Sequence, residues 1–485
     1  MFIQAYPAEP DFLSRSSFPY APPPALVRLD ELLADSRILM WVSLDLMKSA
    51  PRALETGRHA LPAEVSLRLA VVRRLQGWGY AKLEAEVDGS LQWRWFCRLY
   101  DHPMPDHSTI RDREVLIKAR TLHRLTDLTN HVGQEHGVTH GAKLRGDSSV
   151  VETHIHYPTD NSLLADGVRV LGRTLTRAKT LVDGRTVRWR KSLFSNHTRR
   201  ARRLARRIAE QARHAKWAKA SKTAKNRAKL QQEFRRLLAV AETTVAQAQA
   251  VIPLLAKAHR PRAEGLIASL EHFGTLMQQV MAQARQGVLE GKKVPASEKV
   301  VSLFEPHTAV IRRGKAAPHE TEFGRKVWFS EVEGGLISAY QIQRGCPPDN
   351  QTQWQQSVVH HRTLFGHPPR LATGDRGVHS AENERLARQA GVETIALPKP
   401  GPKTAERQAL ERLPWFKAAL RFRAGIEGRI SVLRGPRGLR RCLNRGENGM
   451  ERWVGWGIIT NNLAVTAMAL ARRHRKKRSA KLRKG

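Results

Sequence analysis

The chain has 485 residues, enough for two or three packed domains with hydrophobic cores. Its 83 Lys and Arg residues against 44 Asp and Glu give a net charge of +39, which predicts a polyanionic partner. The charge is spread over the whole chain, and we see neither a secretory leader pattern nor an apolar run of membrane-spanning length. Nucleic acid is therefore favoured over a membrane surface, and we expect a cytoplasmic, nucleoid-associated protein without membrane contact. The three cysteines, Cys97, Cys346 and Cys442, have neither the number nor the spacing of a disulfide framework or a zinc finger.

The N-terminal part divides into an arm and a helical region. Residues 1–26 contain PAEP and PYAPPP, which predict an extended arm because proline fixes φ and lacks an N–H donor. In residues 27–140, apolar side chains recur at helical spacing, and PDHSTIRDRE predicts a helix capped by Thr109. Short helices followed by basic residues, among them Arg111 and Arg113, favour a helix-turn-helix type of DNA-binding domain. A plain helical bundle with a solvated basic face fits the pattern nearly as well.

A second pattern, rich in β-branched residues, begins with KLRGDSSVVETHIHY and predicts a first strand. Strand character returns in KVWFSEVEGGLISAYQIQRG, where Gly334 and Gly335 predict a hairpin beside that strand. PRLATGDRG and ETIALPKP predict further strands around the helical HSAENERLARQAG, and residues 416–433 predict another helix. Residues 141–163 and 300–470 together therefore predict a mixed α/β core.

Residues 164–299 interrupt this core with apolar side chains at helical spacing, which predicts a helical insertion. Within it, residues 199–236 hold 15 Lys and Arg against two acids, with Lys216 and Lys219 on one expected helix face. Such a run is either a solvated face or a surface against the DNA backbone, and the uncompensated charge favours DNA. Residues 471–485 hold nine Lys and Arg and no acid, which predicts a basic tail that is disordered until it meets phosphate.

Three acidic residues carry the candidate chemistry. Asp147 lies on the first core strand, Asp375 ends a later strand, and Glu427 lies in a predicted helix with Arg423 and Arg434 near the same face. Ligands of α/β sheets collect beyond strand ends, and paired carboxylates there suit Mg²⁺ or Mn²⁺. Taken alone, each of these acids is more readily an ordinary ion-pair partner.

Four segments, in chain order, change that weighting: RGDSSVVETHIHYPTDNSLL, FEPHTAVIRRGK, ATGDRGVHSAEN and RAGIEGRISVLRGPRGLRR. They resemble the blocks of DDE transposases from bacterial insertion sequences, closest to the ISNCY family. The segments LRLAVVRRLQGWGYAKLEAEV and FCRLYDHPMPDHSTI resemble the helical domain that precedes their catalytic core, so the likeness runs from about Leu61 to Leu470. It implies a ribonuclease-H-like core in which Asp147, Asp375 and Glu427 hold two Mg²⁺ or Mn²⁺ ions.

The resemblance also implies an activity and partners. Such a protein cleaves the ends of its element and joins the freed 3′-hydroxyls to target DNA, as a homodimer that brings two ends together. Arg376, Arg423 and Arg434 are then expected to contact DNA. The family's signature commonly has Tyr at the position of Leu420 and Lys at that of Arg434, and Arg is not equivalent to Lys at a phosphate.

The fold class expected is therefore α+β and multidomain: an N-terminal α-helical DNA-binding region, then a ribonuclease-H-like mixed α/β core with a long basic helical insertion. Trp453 and Trp456 are candidates for stacking on an unpaired base, although core packing is the favoured interpretation. Two rival functions stay open, a non-catalytic DNA-binding or architectural protein and a metal-dependent nuclease. The separation of 228 positions between Asp147 and Asp375 makes the pairing of their strands the main structural check.

Overall fold

The computed structural model describes residues 2–14, 20–49, 60–182, 184, 188, 190–216, 223–258, 260–312, 321–345, 347 and 351–482. The chain forms two compact units. Unit 1 consists of Met1–His154 and Arg325–Gly485, and unit 2 of Ile155–Gly324. The α+β architecture with an N-terminal helical region is confirmed.

Unit 1 begins with seven helices. Their bounds are α1 Pro24–Leu33, α2 Ser36–Lys48, α3 Ala63–Gln76, α4 Tyr80–Asp88, α5 Leu91–Phe96, α6 His107–Val115 and α7 Ala119–Glu135. The expected extended arm is too long, because Pro24 occupies the first turn of α1, where a missing N–H costs no hydrogen bond. The expected cap Thr109 is also wrong: Asp106 caps α6 and accepts hydrogen bonds from the backbone of Ser108 and Thr109.

The sheet follows these helices in the chain. Its strands are β1 Lys143–Thr153, β2 Ala309–Arg312, β3 Thr321–Val332, β4 Ile337–Ile342, β5 Leu371–Thr373, β6 Thr394–Ala396 and β7 Arg441–Cys442. Within unit 1 the neighbours run β4, β3, β1, β5, β6, and β7 pairs with the end of β1. The hairpin of β3 and β4 is antiparallel and lies beside β1, as expected. Gly334 and Gly335 form its turn with positive φ, a conformation that glycine adopts without steric cost.

Further helices of unit 1 follow β4 in the chain. They are α12 Gln351–Phe365, α13 Ala381–Gln389, α14 Ala405–Arg412, α15 Pro414–Arg434 and α16 Gly446–Leu482. The sequence patterns predicted α13 and α15, whereas α12 and α14 were missed. The predicted disordered tail is wrong up to Leu482, since α16 continues to that residue. One hydrophobic cluster joins α1 to α7 with Trp456, Ile459 and Leu463 of α16, so the first helices and the sheet belong to one unit.

Unit 2 is mainly helical. Its long helices are α8 Asp160–Ala178, α9 Thr198–Lys216, α10 Thr223–Ala256 and α11 Pro261–Ala284, and a π-helical turn follows at Arg285–Leu289. Apolar residues from all four helices form one core cluster. The helical character of the expected insertion agrees with this unit, which begins earlier and also contains β2 paired with residues Thr321–Gly324.

Two helical segments in the described residues are long and apolar enough to cross a membrane by length and composition, Ala224–Ala256 and Gly446–Lys477. The sequence patterns had not suggested either. Half of the most apolar window of the first segment and 72% of that of the second are buried inside the protein. Core helices show the same burial, so these segments do not indicate a membrane protein. Cys97 and Cys442 are buried free thiols, in line with the expected absence of a disulfide there, and Cys346 lies outside the described residues.

Candidate active site

Asp147 lies on β1, and Asp375 follows β5, the strand that pairs with β1 in parallel. β1 pairs with β5 in the register Lys143 to Leu371, Leu144 to Ala372 and Arg145 to Thr373. Asp147 lies two residues beyond the last of these pairs on β1, and Asp375 lies two residues beyond the end of β5, in the turn that follows this strand. The strand pairing on which the prediction depends is therefore present, although Asp147 and Asp375 are 228 positions apart in the sequence.

The sheet order places strands β1 and β5 at the point where the chain changes the side on which it adds strands. From β1 the chain builds β3 and β4 on one side and later β5 and β6 on the other, so the switch falls between β1 and β5. Open α/β sheets bind ligands in the crevice outside the carboxyl ends of strands at such a switch point. β5 pairs with β1 up to Arg145 and β7 pairs only from Glu152, which leaves Asp147 between the two paired segments.

Helix α15 lies against the face of β1 that carries Asp147. Alternate residues of a strand share a face, and three on this face contact α15. The Arg145 guanidinium donates to the carbonyl of Phe422, Asp147 pairs with Arg423, and Ser149 Oγ accepts from Arg434 Nη1 at 3.3 Å. The helix that carries Glu427 is thus held along the strand that carries Asp147.

Arg423 connects two of the three candidate acids. Its Nη2 lies 3.1 Å from Asp147 Oδ2, and its Nη1 lies 3.5 Å from Glu427 Oε1 one helical turn further on. The Glu427 side chain is 70% exposed, whereas that of Asp147 is only 15% exposed. A positive guanidinium therefore occupies the space between a partly buried and an exposed carboxylate.

Asp375 is fixed by the turn that follows β5. It caps a short 3₁₀ helix at Arg376–Val378, and its Oδ1 accepts from the Val378 backbone N–H at 3.1 Å. A Cβ on Gly377 would lie 3.5 Å from the same oxygen, which is an ordinary van der Waals contact. The backbone of Gly377 has no positive φ, so the expected need for a glycine at the exit from the strand stays a prediction.

A buried carboxylate that the sequence patterns did not reveal links the elements around the candidate site through ion pairs. Glu331, on β3, is fully buried, with Oε2 2.7 Å from Arg145 Nε and Oε1 3.3 Å from Arg429 Nε. Arg145 comes from β1 and Arg429 from α15, so this ion-pair cluster links three elements around the candidate site. The one signal in the sequence is that Arg145 precedes Asp147 by two residues and so shares its strand face.

Two glycines allow the close packing of these elements. A Cβ on Gly146 would clash with the ring of Trp328, which is fully buried under β1. A Cβ on Gly425 would lie 2.5 Å from Arg145 Nη1 and block its approach to α15. The motif glycines beside Asp147 and Glu427 therefore have a packing reason, independent of any ligand.

The described residues contain no group of three or more His, Cys, Asp or Glu side chains placed to hold a metal ion. Asp147 and Asp375 follow the paired segments of β1 and β5, and Arg423 contacts both Asp147 and Glu427. The donor chemistry fits a hard divalent cation, since carboxylate oxygens are its preferred ligands. In this structure the positive charge that Asp147 and Glu427 contact is the guanidinium of Arg423.

The predicted DNA contacts fall into three groups. Arg376 and Arg111 are exposed, although Arg111 pairs with the neighbouring Asp112. Arg113 is partly buried and donates to the carbonyl of Leu61, and burial lowers the pKa of its guanidinium; its expected contact with DNA stays a prediction. Lys216 ends α9, and Lys219 lies outside the described residues.

The prediction that two tryptophans stack on an unpaired base is wrong. Trp453 is 5% exposed and Trp456 is 1% exposed, so both rings are enclosed by the protein. Trp453 donates its indole N–H to the Gly438 carbonyl, and the Arg74 guanidinium stacks on the ring at 3.7 Å. Burial, followed by the nearby charge of Arg73, lowers the pKa of Arg74 to about 9. The favoured alternative, core packing, is confirmed.

Comparison with known proteins adds information about the N-terminal region. The family described as "Transposase domain (DUF772)" matches residues 20–113, which hold α1 to α5 and most of α6. This match supports a transposase family and a protein that acts on DNA. Comparison with curated proteins and with solved structures gave no match.

Proposed function

We propose that this protein is a DDE-type DNA transposase with a ribonuclease-H-like core, which cleaves insertion-sequence ends and joins their 3′-hydroxyls to target DNA. The observation that carries the proposal is the parallel pairing of β1, which carries Asp147, with β5, which ends two residues before Asp375, at the switch point of the sheet. The transposase-domain match before the core supports it independently. The ordered motif blocks, closest to the ISNCY family, supply the third acid, Glu427.

Asp147, Asp375 and Glu427 would hold two Mg²⁺ or Mn²⁺ ions. Such ions activate the attacking oxygen and stabilise the leaving oxygen of a phosphodiester. The residues of this chain supply the rest. The turn after β5 orients the carboxylate of Asp375, and the Glu331 cluster fixes α15 against β1.

Positive side chains around the acids would position the DNA. Arg423 and Arg434 lie on the site side of α15, and Arg376 is exposed directly after Asp375. A guanidinium offers several N–H donors in a planar fork, which suits phosphate oxygens. When DNA enters, Arg423 would exchange its carboxylate partners for the backbone next to the scissile phosphate.

Two element ends must be processed together, so a homodimer on DNA is part of the proposal. A cytoplasmic, nucleoid-associated location follows from a DNA substrate. The role of DNA-binding domain would fall to the helices before β1, where the transposase-domain match lies.

The test uses the full chain and duplex DNA with the terminal repeats taken from the sequence that flanks the gene. Asp147→Asn, Asp375→Asn and Glu427→Gln are compared with the wild-type protein in Mg²⁺ or Mn²⁺. Each should lower cleavage by at least about two orders of magnitude, because each removes a proposed ion ligand. Glu152→Gln is the matched control, since Glu152 lies on the same strand and pairs with Arg441.

The outcomes separate the rival functions. If all three variants cleave like the control, the proposed site is wrong. Cleavage by the wild-type protein without joining of the 3′-ends identifies a nuclease. Specific binding with no product in any form identifies an architectural or regulatory DNA-binding protein.

A further inference from the structure

Unit 2 carries a helix face that is almost entirely arginine. The apolar residues of α9 recur every three or four positions and are buried in the core of the unit: Ala201, Leu204, Ala205 and Ile208. The opposite face is exposed and carries six arginines: Arg199, Arg200, Arg202, Arg203, Arg206 and Arg207. The helix therefore turns a dense row of positive charge to solvent.

Part of this row lines a groove between α8 and α9. Two adjoining clefts of about 430 Å³ and about 560 Å³ share Arg169, Arg202 and Thr198 in their walls. Their arginines, which together define the arginine groove, are Arg169, Arg173, Arg199, Arg202 and Arg206. The groove thus brings arginines of two helices to one concave surface.

The arginine groove has little negative charge of its own. Asp166 is the one carboxylate among the described lining residues, and it pairs with Arg169 at 2.9 Å. In the described part of the chain, the other four groove arginines form no ion pair. Like charges this close repel one another, so an anion in the groove would stabilise the arrangement.

A further polar group faces the same place. Thr198 begins α9 and lines both clefts, and its hydroxyl is buried without a hydrogen-bond partner in the described part of the chain. The backbone N–H groups at the start of a helix also favour a negative ligand. Arginine forks, a free hydroxyl and a helix start together match the chemistry of phosphate.

We propose that the arginine groove binds the phosphate backbone of duplex DNA. This inference rests on the proposed function for its partner, and it gives the inserted unit a DNA-holding role apart from the carboxylate site. From Arg199 to Arg206, α9 rises about 10 Å, which spans about three phosphates of one strand. The groove arginines would contact the backbone, so binding there should be independent of base sequence.

Two triple variants test the proposal. The first neutralises groove positions, Arg173→Gln, Arg202→Gln and Arg206→Gln. The matched control, Arg177→Gln, Arg203→Gln and Arg207→Gln, removes the same charge from exposed positions of the same two helices that line neither cleft. Binding of the full chain to a random-sequence duplex is measured against salt concentration in EDTA, so that no metal chemistry contributes.

The groove variant should reduce the slope of log K against log salt by about 2 to 3, because each phosphate contact contributes about 0.9. At 0.15 M salt this corresponds to binding weaker by on the order of 100-fold. The control variant should keep most of the wild-type slope. Equal losses in both variants would show a bulk charge effect and overturn the proposal, as would a wild-type protein that does not bind the duplex.

Two further measurements keep the result unambiguous. Circular dichroism checks that both triple variants are folded. If either is not, the comparison is repeated with two single variants, Arg202→Gln in the groove and Arg203→Gln as its control. Displacement of the DNA by tripolyphosphate at equal phosphate concentration would identify a small-polyanion site and refute duplex binding. Because binding is measured without metal, loss of the groove effect and loss of cleavage in Asp147→Asn are separate results.

Discussion

Glu331→Gln should destabilise unit 1 far more than its single-atom change suggests. Glu331 is fully buried and compensates two guanidinium groups, those of Arg145 at 2.7 Å and Arg429 at 3.3 Å. Removing one partner of a buried ion pair costs about 3–5 kcal/mol, because the remaining charge is left uncompensated. The two arginine side chains are 11% and 18% exposed, so partial solvation favours the lower end, about 3 kcal/mol.

The assay is thermal unfolding of the full chain, followed by circular dichroism, for Glu331→Gln and for Glu152→Gln. Glu152 and Arg441 form an ion pair of similar length, 2.8 Å, but their side chains are 22% and 52% exposed. The loss of this pair should therefore cost less than about 1 kcal/mol. We expect the Tm of the Glu331 variant to fall by about 5 °C or more. Hydrogen exchange should also increase in α15, which Arg429 anchors.

Equal unfolding temperatures for the two variants would refute this reasoning. A double variant with Arg145→Gln and Glu331→Gln provides a second check. It should lose less stability than the sum of the single variants, because the two side chains contact each other. Additive losses would mean that the carboxylate does not act through Arg145.

Three further outcomes follow from the same structure. Gly146→Ala should lower the free energy of unfolding by about 1–3 kcal/mol, because its Cβ would clash with a buried tryptophan ring. Gly428→Ala is the control and should be close to neutral, because nothing lies within 4 Å of its Cβ position. Similar losses in the two variants would contradict the packing argument. Burial lowers the pKa of His361 from 6.5 to about 4, so on acidification the unfolded chain binds this proton before the folded chain does. Up to about 3 kcal/mol of stability should therefore be lost as pH falls from 6.5 through 4. His361→Gln should flatten the Tm profile over that range, and an unchanged profile would contradict the assignment. Arg423→Gln should raise Mn²⁺ affinity about five- to tenfold in calorimetry without DNA, because Asp147 loses a competing cation; unchanged affinity would show that the guanidinium and the ion do not compete.

Much of the local structure could be predicted from the sequence. The β-branched run around Asp147, the glycine pair of the hairpin and the apolar spacing in α13 and α15 are local signals of their elements. The errors also have local causes. Pro24 and Asp106 each permit a helix to begin earlier than expected, and the basic tail continues α16 as far as Leu482.

What the sequence by itself determined is the set of elements and the charge, since periodicity, turn residues and net charge are properties of neighbouring positions. Only the tertiary structure decided which distant residues meet: the pairing of β1 with β5, the burial of Trp456, and the placement of Glu331 between two arginines. These contacts depend on how strands and helices pack after long intervening segments. No pattern within a short window specifies them, because the free energy that selects them comes from burial and ion pairing across the whole unit.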